Sequence, residues 1–131
     1  MVHFNEPYLT VRWDEDANAV WAEWKDSAQG ELLRRGLEAG LELILLKKSR
    51  RWLADARRLG PMGPADVKWV NDVWTPQVVA GGLRWMAVIA PKKVVVQLAV
   101  RSYMSRINEQ ELGTAYFDDL EDVRAWLRSQ Q

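Results

Sequence analysis

Hydrophobic and polar residues alternate near the start of the chain in the pattern of a β-hairpin. Residues 8–13 alternate and are rich in β-forming side chains, and residues 19–25 do so again after the polar turn 14–18. Two such strands joined by a short polar loop form an antiparallel pair. We expect residues 1–6, which precede this hairpin, to be a frayed N-terminus.

Apolar residues at helical spacing predict two helices in the first two thirds of the chain. The first covers residues 28–48, with Asp26 and Ser27 as candidate N-caps. The second begins at Pro64, a residue suited to the first helical position. Pro76 lacks a backbone N–H and should end or kink this helix at the residues before it.

The remaining pattern alternates strands with helices. Two alternatives stay open for residues 93–109, because the run of three valines from Val94 is of β type and a hairpin back from Pro91 competes with a helix. Asp118 or Asp119 can cap a final helix. The predicted strands are 51–56, 83–90 and 113–117, and the predicted helices are 93–109 and 120–128. The order ββαβαβαβα predicts an α/β fold with a mixed, mostly parallel sheet of about five strands and about four helices.

Composition narrows the class of protein. A length of 131 residues suits one domain, and 48% hydrophobic with 27% charged residues is typical of a globular chain. The formal net charge is +0, so no general attraction to nucleic acid or anionic lipid is expected, although a local basic patch is compatible with it. The absence of cysteine fits a reducing compartment. The N-terminus has no signal-peptide pattern and no apolar run is long enough to span a bilayer, so we expect a cytoplasmic protein with no transmembrane segment.

The order of elements and several segments resemble the SpoIIAA-like family of bacterial STAS-domain proteins, a branch also linked by name to CRAL-TRIO lipid-binding domains. The resemblance covers nearly the whole chain and rests on structural patterns. The segments that carry it are AEWK (22–25), WLADAR (52–57), WVNDVW (69–74), RWMAVIAP (84–91) and FDDLEDVRAWL (117–127). It implies a single STAS-like domain over residues 1–131 with a regulatory binding role and no enzymatic activity.

The resemblance also identifies a difference from the family pattern. STAS proteins of the anti-sigma-factor-antagonist type carry an Asp-Ser pair at the end of the third strand, and phosphorylation of this serine switches binding. Here the matching positions are Asp55 and Ala56. The resemblance therefore implies a binding role without this phosphorylation switch.

Few residue patterns in the sequence support catalysis. His3 is the only histidine, which argues against a catalytic triad or a histidine-based metal site. The Gly-Pro-Met-Gly segment 60–63 lacks the Lys-Ser/Thr of a phosphate-binding loop. We therefore expect no enzyme activity, no cofactor and no metal. The eight tryptophans have two interpretations: they fill the core, or some of them line a ligand pocket or a partner surface.

A basic crevice is the candidate binding site. In an open α/β sheet, ligands bind beyond the carboxyl ends of the strands, where helix N-termini also begin. Two pairs of cations follow neighbouring predicted strands, and tryptophans could form an apolar wall. The alternative is that these are solvated charges, with Asp55 paired to Arg57. The candidate residues for an anion or ligand are Trp52, Asp55, Arg57, Arg58, Trp85, Lys92 and Lys93.

Two functions from different classes follow. The first is a non-enzymatic protein-interaction module that binds a protein partner or forms a homodimer through an exposed helix face. The second is a protein that binds a small anionic molecule or a lipid in the basic crevice. No nucleic-acid partner is expected.

Overall fold

The structure, a computed structural model, describes residues 1–130. A single sheet of six strands lies at its centre, with the strands in chain order from one edge to the other. The two pairs at the first edge are antiparallel and the other three are parallel. The strands are β1 (Val2–Glu6), β2 (Leu9–Asp14), β3 (Ala19–Trp24), β4 (Arg51–Asp55), β5 (Trp85–Ile89) and β6 (Gly113–Phe117). The predicted α/β class with a mostly parallel sheet is confirmed, with six strands in place of about five.

Strand β1 corrects the expectation that residues 1–6 are frayed. It pairs with β2 along the edge of the sheet. Phe4 fixes it in place by packing against Tyr8, with the ring centroids 6.3 Å apart. Asn5 also links β1 to neighbouring residues, because its side-chain oxygen accepts hydrogen bonds from Thr10 and Lys25. The segment lacks a long alternating pattern because as an edge strand only part of it contacts the core.

Helices occupy the four predicted positions. They are α1 (Glu31–Lys47), the pair α2 (Pro64–Trp69) and α3 (Thr75–Ala80) joined by a π-helical turn (Val70–Trp74), α4 (Val94–Ser105) and α5 (Leu120–Ser129). The open choice at residues 93–109 is settled as a helix. Val96 and Val100 provide the reason, since both are buried one helical turn apart against the core. Asp119 caps α5 by accepting a hydrogen bond from the backbone N–H of Glu121.

Two helix boundaries differ from the sequence expectation. Helix α1 starts at Glu31, after Gly30 with a positive φ of 57°, and neither Asp26 nor Ser27 caps it. The carboxylate of Asp66 accepts the Gly30 N–H, so a residue from a distant helix replaces a local cap. Pro76 does not end the second helix. The wider π-helical turn accommodates the missing proline N–H, and the chain continues as α3.

The sheet separates two apolar clusters of unequal size. Helices α1, α2, α3 and α4 cover one face together with the π-helical turn, and α5 alone covers the other. Neighbouring residues of a strand therefore point into different clusters. Within residues 1–130 no helix is long and apolar enough to cross a membrane.

Candidate functional site

Three of the four predicted basic residues, Arg57, Arg58 and Lys92, meet at the carboxyl ends of three parallel strands. Strands β3, β4 and β5 end at the same edge of the sheet. The backbone N–H of Lys92 donates to the carbonyl oxygen of Arg57, at 3.3 Å, and so joins the loops that follow β4 and β5. These loops surround a crevice of about 180 Å³. It is lined by Glu23, Trp24, Asp55, Arg57, Arg58 and Lys92.

Part of the positive charge in this crevice is already neutralised. The buried carboxylate of Asp55 accepts two hydrogen bonds from the Arg57 guanidinium, at 2.9 and 2.7 Å. These bonds raise the pKa of Arg57 above its ordinary value. Glu23 is paired with Arg12 on the neighbouring strand. Among the ion pairs within residues 1–130, neither Arg58 nor Lys92 takes part, so these two cations remain available to an anion.

Three of the predicted site residues lie outside the crevice. Lys93 is exposed and precedes the first turn of α4. Trp85 opens β5 at the opposite end of the strand and packs on the α5 face against Trp126, with the centroids 6.0 Å apart. Trp52 is near the start of β4 and points toward α1 and Trp74. Neither tryptophan can form the apolar wall of the crevice.

An apolar cavity of about 70 Å³ lies beside the crevice, under the helices of the larger face. Its walls come from the sheet, α1, the loop after β4, the segment from α2 to α3, and α4. Trp24 lines both spaces, so the apolar cavity and the charged crevice are neighbours. The aromatic walls of the cavity are Trp24, Trp52, Trp74 and Tyr103.

Small side chains on β4 create this space. Ala54 faces the helices from a central strand, yet it is only partly buried because it borders the cavity. The larger Trp52 does not fill the gap, since its ring occupies a notch over Gly40 of α1. A Cβ at Gly40 would lie 2.5 Å from Cη2 of that ring, so only glycine leaves room for it. Two alanines at alternate positions, Ala54 in β4 and Ala56 directly after it, were the signal in the sequence for this cavity.

Two polar groups of the lining are already bonded to protein. The indole N–H of Trp74 donates to the carbonyl oxygen of Leu37 at 2.8 Å. The hydroxyls of Tyr103 and Thr75 share a hydrogen bond of 2.6 Å. Burial raises the pKa of Tyr103 well above its ordinary value, so this phenol stays neutral. The cavity therefore favours an apolar guest.

Comparison with solved structures identifies the fold. The chain is similar to the crystal structure of an uncharacterised protein from the DUF3478 family with a SpoIIAA-like fold, from Shewanella loihica PV-4. The likeness has a TM-score of 0.61 at 16% sequence identity and covers 91% of each chain. The sequence matches no protein-family model and no curated protein. The fold of this chain is SpoIIAA-like, as the resemblance implied.

No metal centre emerges from the described part of the chain. Within residues 1–130, no group of three or more histidine, aspartate or glutamate side chains converges as metal ligands would. The candidate site therefore consists of the apolar cavity and the adjacent crevice with its two unpaired cations.

Proposed function

We propose that this chain is a cytoplasmic, non-enzymatic STAS-like module that binds a small amphiphile. The apolar part of the ligand occupies the tryptophan-lined cavity, and its anionic group lies in the crevice near Arg58 and Lys92. The observation that carries this proposal is an apolar cavity directly beside Arg58 and Lys92, which form no ion pair within residues 1–130. A space lined mainly by apolar side chains favours an apolar guest.

The size of the cavity limits the ligand. A volume of about 70 Å³ admits only the last carbon atoms of an aliphatic chain, since a benzene-sized ring needs about 150 Å³. The rest of a longer chain such as octanoate would lie in the adjoining crevice of about 180 Å³. Each buried methylene contributes about 0.8 kcal/mol, and a carboxylate or phosphate bound by a cation adds about 1.5–3 kcal/mol. A ligand of this class therefore binds with modest affinity, and both of its parts are needed.

Octanoate and octanol distinguish the two parts of the site, because they share a chain and differ in charge. We expect octanoate to bind the full-length protein and to change its tryptophan fluorescence, with octanol binding more weakly. The substitution Ala54→Leu fills the cavity and should abolish binding of both compounds. Ala125→Leu makes the same change on the exposed face of α5 and should leave binding intact. Failure of octanoate to bind, or undiminished binding by Ala54→Leu, would contradict the proposal.

Neighbouring lysines provide a test of the crevice. Lys92 lines it and Lys93 does not. Lys92→Gln should weaken octanoate binding about tenfold, the loss of one charge-assisted contact, and leave octanol binding unchanged. Lys93→Gln should affect neither compound. Equal effects of the two substitutions on octanoate binding would show that the lysine charges act at long range and that Lys92 does not contact the carboxylate.

The same module is proposed to lack the phosphorylation switch of the anti-sigma-factor antagonists. Ala56 stands where the resemblance places their serine, and it is buried with its N–H donating to the carbonyl oxygen of Ile89 at 3.1 Å. Residues 55–63 contain no serine, threonine or tyrosine. Phosphoryl transfer to this loop has no acceptor, which supports regulation by ligand and not by a kinase.

The second candidate function is the protein-interaction module expected from the resemblance. The observation that favours it is the pair Leu45 and Leu46 at the end of α1, which are 54% and 65% exposed. Native mass spectrometry of protein from its own host tests it. A dimer or a complex with a second protein that Leu46→Glu dissociates would support this function. A monomer carrying a small-molecule adduct would support ligand binding instead.

A further inference from the structure

The first two turns of α4 are apolar on nearly every side. Val96 and Val100 face the core, as a helix packed on a sheet requires. Val94, Val95 and Leu98 face outward and are 69%, 64% and 63% exposed. A helix segment that is apolar all round is normally covered on both sides. Within residues 1–130, nothing covers the outer side of this one.

Cations bracket the exposed apolar residues. Lys92 and Lys93 precede the helix, and Arg101 follows Leu98 by about one turn, exposed and with its guanidinium carbon 4.7 Å from the Tyr116 ring centroid. From position 91 to position 108 the chain has four lysines and arginines and no acidic residue. A chain of zero net charge thus carries a local basic segment. We call Lys92, Lys93, Val94, Val95, Leu98 and Arg101 the α4 patch.

The two lysines of this patch have no local stabilising role. The N-terminal end of a helix carries partial positive charge, so lysines before it are unfavourable for the helix. Lys47, at the end of α1, shows the opposite case. It lies at the C-terminal end of a helix and over the Trp13 ring at 5.3 Å, so local contacts explain it. Lys93, which lines neither the cavity nor the crevice, has no such local contact to explain it.

We propose that the α4 patch docks the protein on an anionic lipid bilayer. Exposed aliphatic side chains flanked by lysine and arginine are the composition of a membrane-surface helix. A bilayer accepts a few apolar side chains from a convex helix without shape complementarity. A stable protein interface needs about 1,200–2,000 Å², far more than three aliphatic residues provide. A second copy would place the same cations against each other. Nucleic acid would leave the aliphatic residues uncovered.

This inference goes beyond the proposed ligand binding and shares only Lys92 with it. Lys93, Val95 and Leu98 line neither the cavity nor the crevice. Substitutions at Lys93, Val95 or Leu98 should therefore weaken membrane binding without weakening octanoate binding.

Vesicle flotation of the full-length protein tests the proposal. We expect binding to vesicles of phosphatidylcholine mixed with phosphatidylglycerol, weak binding to phosphatidylcholine alone, and release by high salt. No binding to the anionic vesicles at low salt would overturn the proposal. Equal binding to both compositions would overturn its electrostatic part.

The apolar contribution is tested with serine substitutions, since serine and valine have similar helix propensities. The double variant Val95→Ser with Leu98→Ser should weaken vesicle binding at least tenfold. The control, Leu45→Ser with Leu46→Ser, removes an exposed apolar pair from α1 and should bind like the parent. Equal losses in both variants would overturn the assignment to the α4 patch.

The electrostatic contribution is tested in the same assay. Lys93→Gln with Arg101→Gln should weaken binding to anionic vesicles about thirtyfold, since each charge near such a surface contributes about 1 kcal/mol. The control Lys48→Gln with Arg50→Gln removes two exposed cations near the end of α1 and should have little effect. A dimer in solution that the Val95/Leu98 variant dissociates would overturn membrane docking in favour of self-association.

Discussion

The two faces of the sheet are packed in opposite ways, and two adjacent residues of β4 show the difference. Leu53 points toward α5 and is fully buried among apolar neighbours. Ala54 points toward the other helices and borders an empty apolar space. The helix-rich face contains the cavity although four helices cover it. The single helix α5 covers the other face, the sealed face, and buries Leu53 completely.

The α5 face is closed by specific polar contacts. Asp14 is buried and accepts hydrogen bonds from the Arg124 guanidinium at 3.2 and 3.0 Å. Trp21 lies between Arg12 and Arg124, with their guanidinium carbons 4.7 and 5.2 Å from the ring centroid. Arg124 therefore links the ten-residue helix α5 to Asp14 of the hairpin formed by β2 and β3.

The cavity on the helix-rich face lowers the free energy of unfolding. At about 24 cal/mol per Å³, an unfilled space of about 70 Å³ costs about 2 kcal/mol relative to a filled core. A cavity of this kind is what the proposed ligand binding requires. Stability is therefore expected to depend most on the α5 face, and four substitutions test that difference between the faces.

The largest effect is expected from Leu53→Ala on the sealed face. Removing this buried side chain should lower the free energy of unfolding by about 4 kcal/mol, because the transfer and cavity terms add. Urea denaturation measures the change. The exposed control Leu46→Ala should cost under about 0.5 kcal/mol. A loss below about 1 kcal/mol for Leu53→Ala would mean that the α5 face is loosely packed.

Asp14→Ala should cost about 3 kcal/mol, since it leaves the Arg124 guanidinium without its main partner. Asp16 and Glu121 lie 3.7 and 3.6 Å from Arg124 and can compensate only in part, because both are largely exposed. The control is Asp16→Ala, which should change the unfolding free energy by less than about 0.5 kcal/mol. Similar losses from the two variants would indicate that long-range charge, and not the buried pair, holds α5.

The sequence predicted the sealed face better than the open one. Alternation and helical spacing report which residues are buried, and they located β3, β4, β5 and α5 closely. They missed β1, whose placement depends on Phe4 packing against Tyr8. They also missed the start of α1, because Asp66 interacts with Gly30 from 36 positions away.

The candidate site was predicted only in part, for a related reason. Topology brings the ends of parallel strands together, so Arg57, Arg58 and Lys92 could be grouped from the chain order alone. The direction of a tryptophan ring depends on its neighbours in space. Trp52 fits the notch at Gly40 and Trp85 packs on Trp126, and neither contact is visible in local sequence. A cavity is a gap between distant residues and leaves little pattern.

Two tyrosines of the helix-rich face test what a single hydroxyl contributes to its stability. Tyr103→Phe removes the hydrogen bond to the buried Thr75 hydroxyl and should cost about 1–2 kcal/mol. The Tyr116 hydroxyl is buried and finds no partner within residues 1–130, so Tyr116→Phe should be neutral or slightly stabilising. Urea denaturation of both variants measures the two changes in unfolding free energy. Equal costs would show that the Tyr103–Thr75 bond contributes nothing specific.

Among the four principal substitutions, the smallest effect on stability is expected from Ala54→Val, which also tests the cavity most directly. The added methyl groups enter empty space, so the free energy of unfolding should change by less than about 1 kcal/mol. Ala87→Val is the matched control. Ala87 is fully buried on the α5 face of the adjacent strand, where overpacking should cost about 1–3 kcal/mol. If both valines were equally costly in urea denaturation, the space above Ala54 would be closed in solution. The two faces would then be packed alike. That result would contradict the proposal that a ligand binds in the cavity.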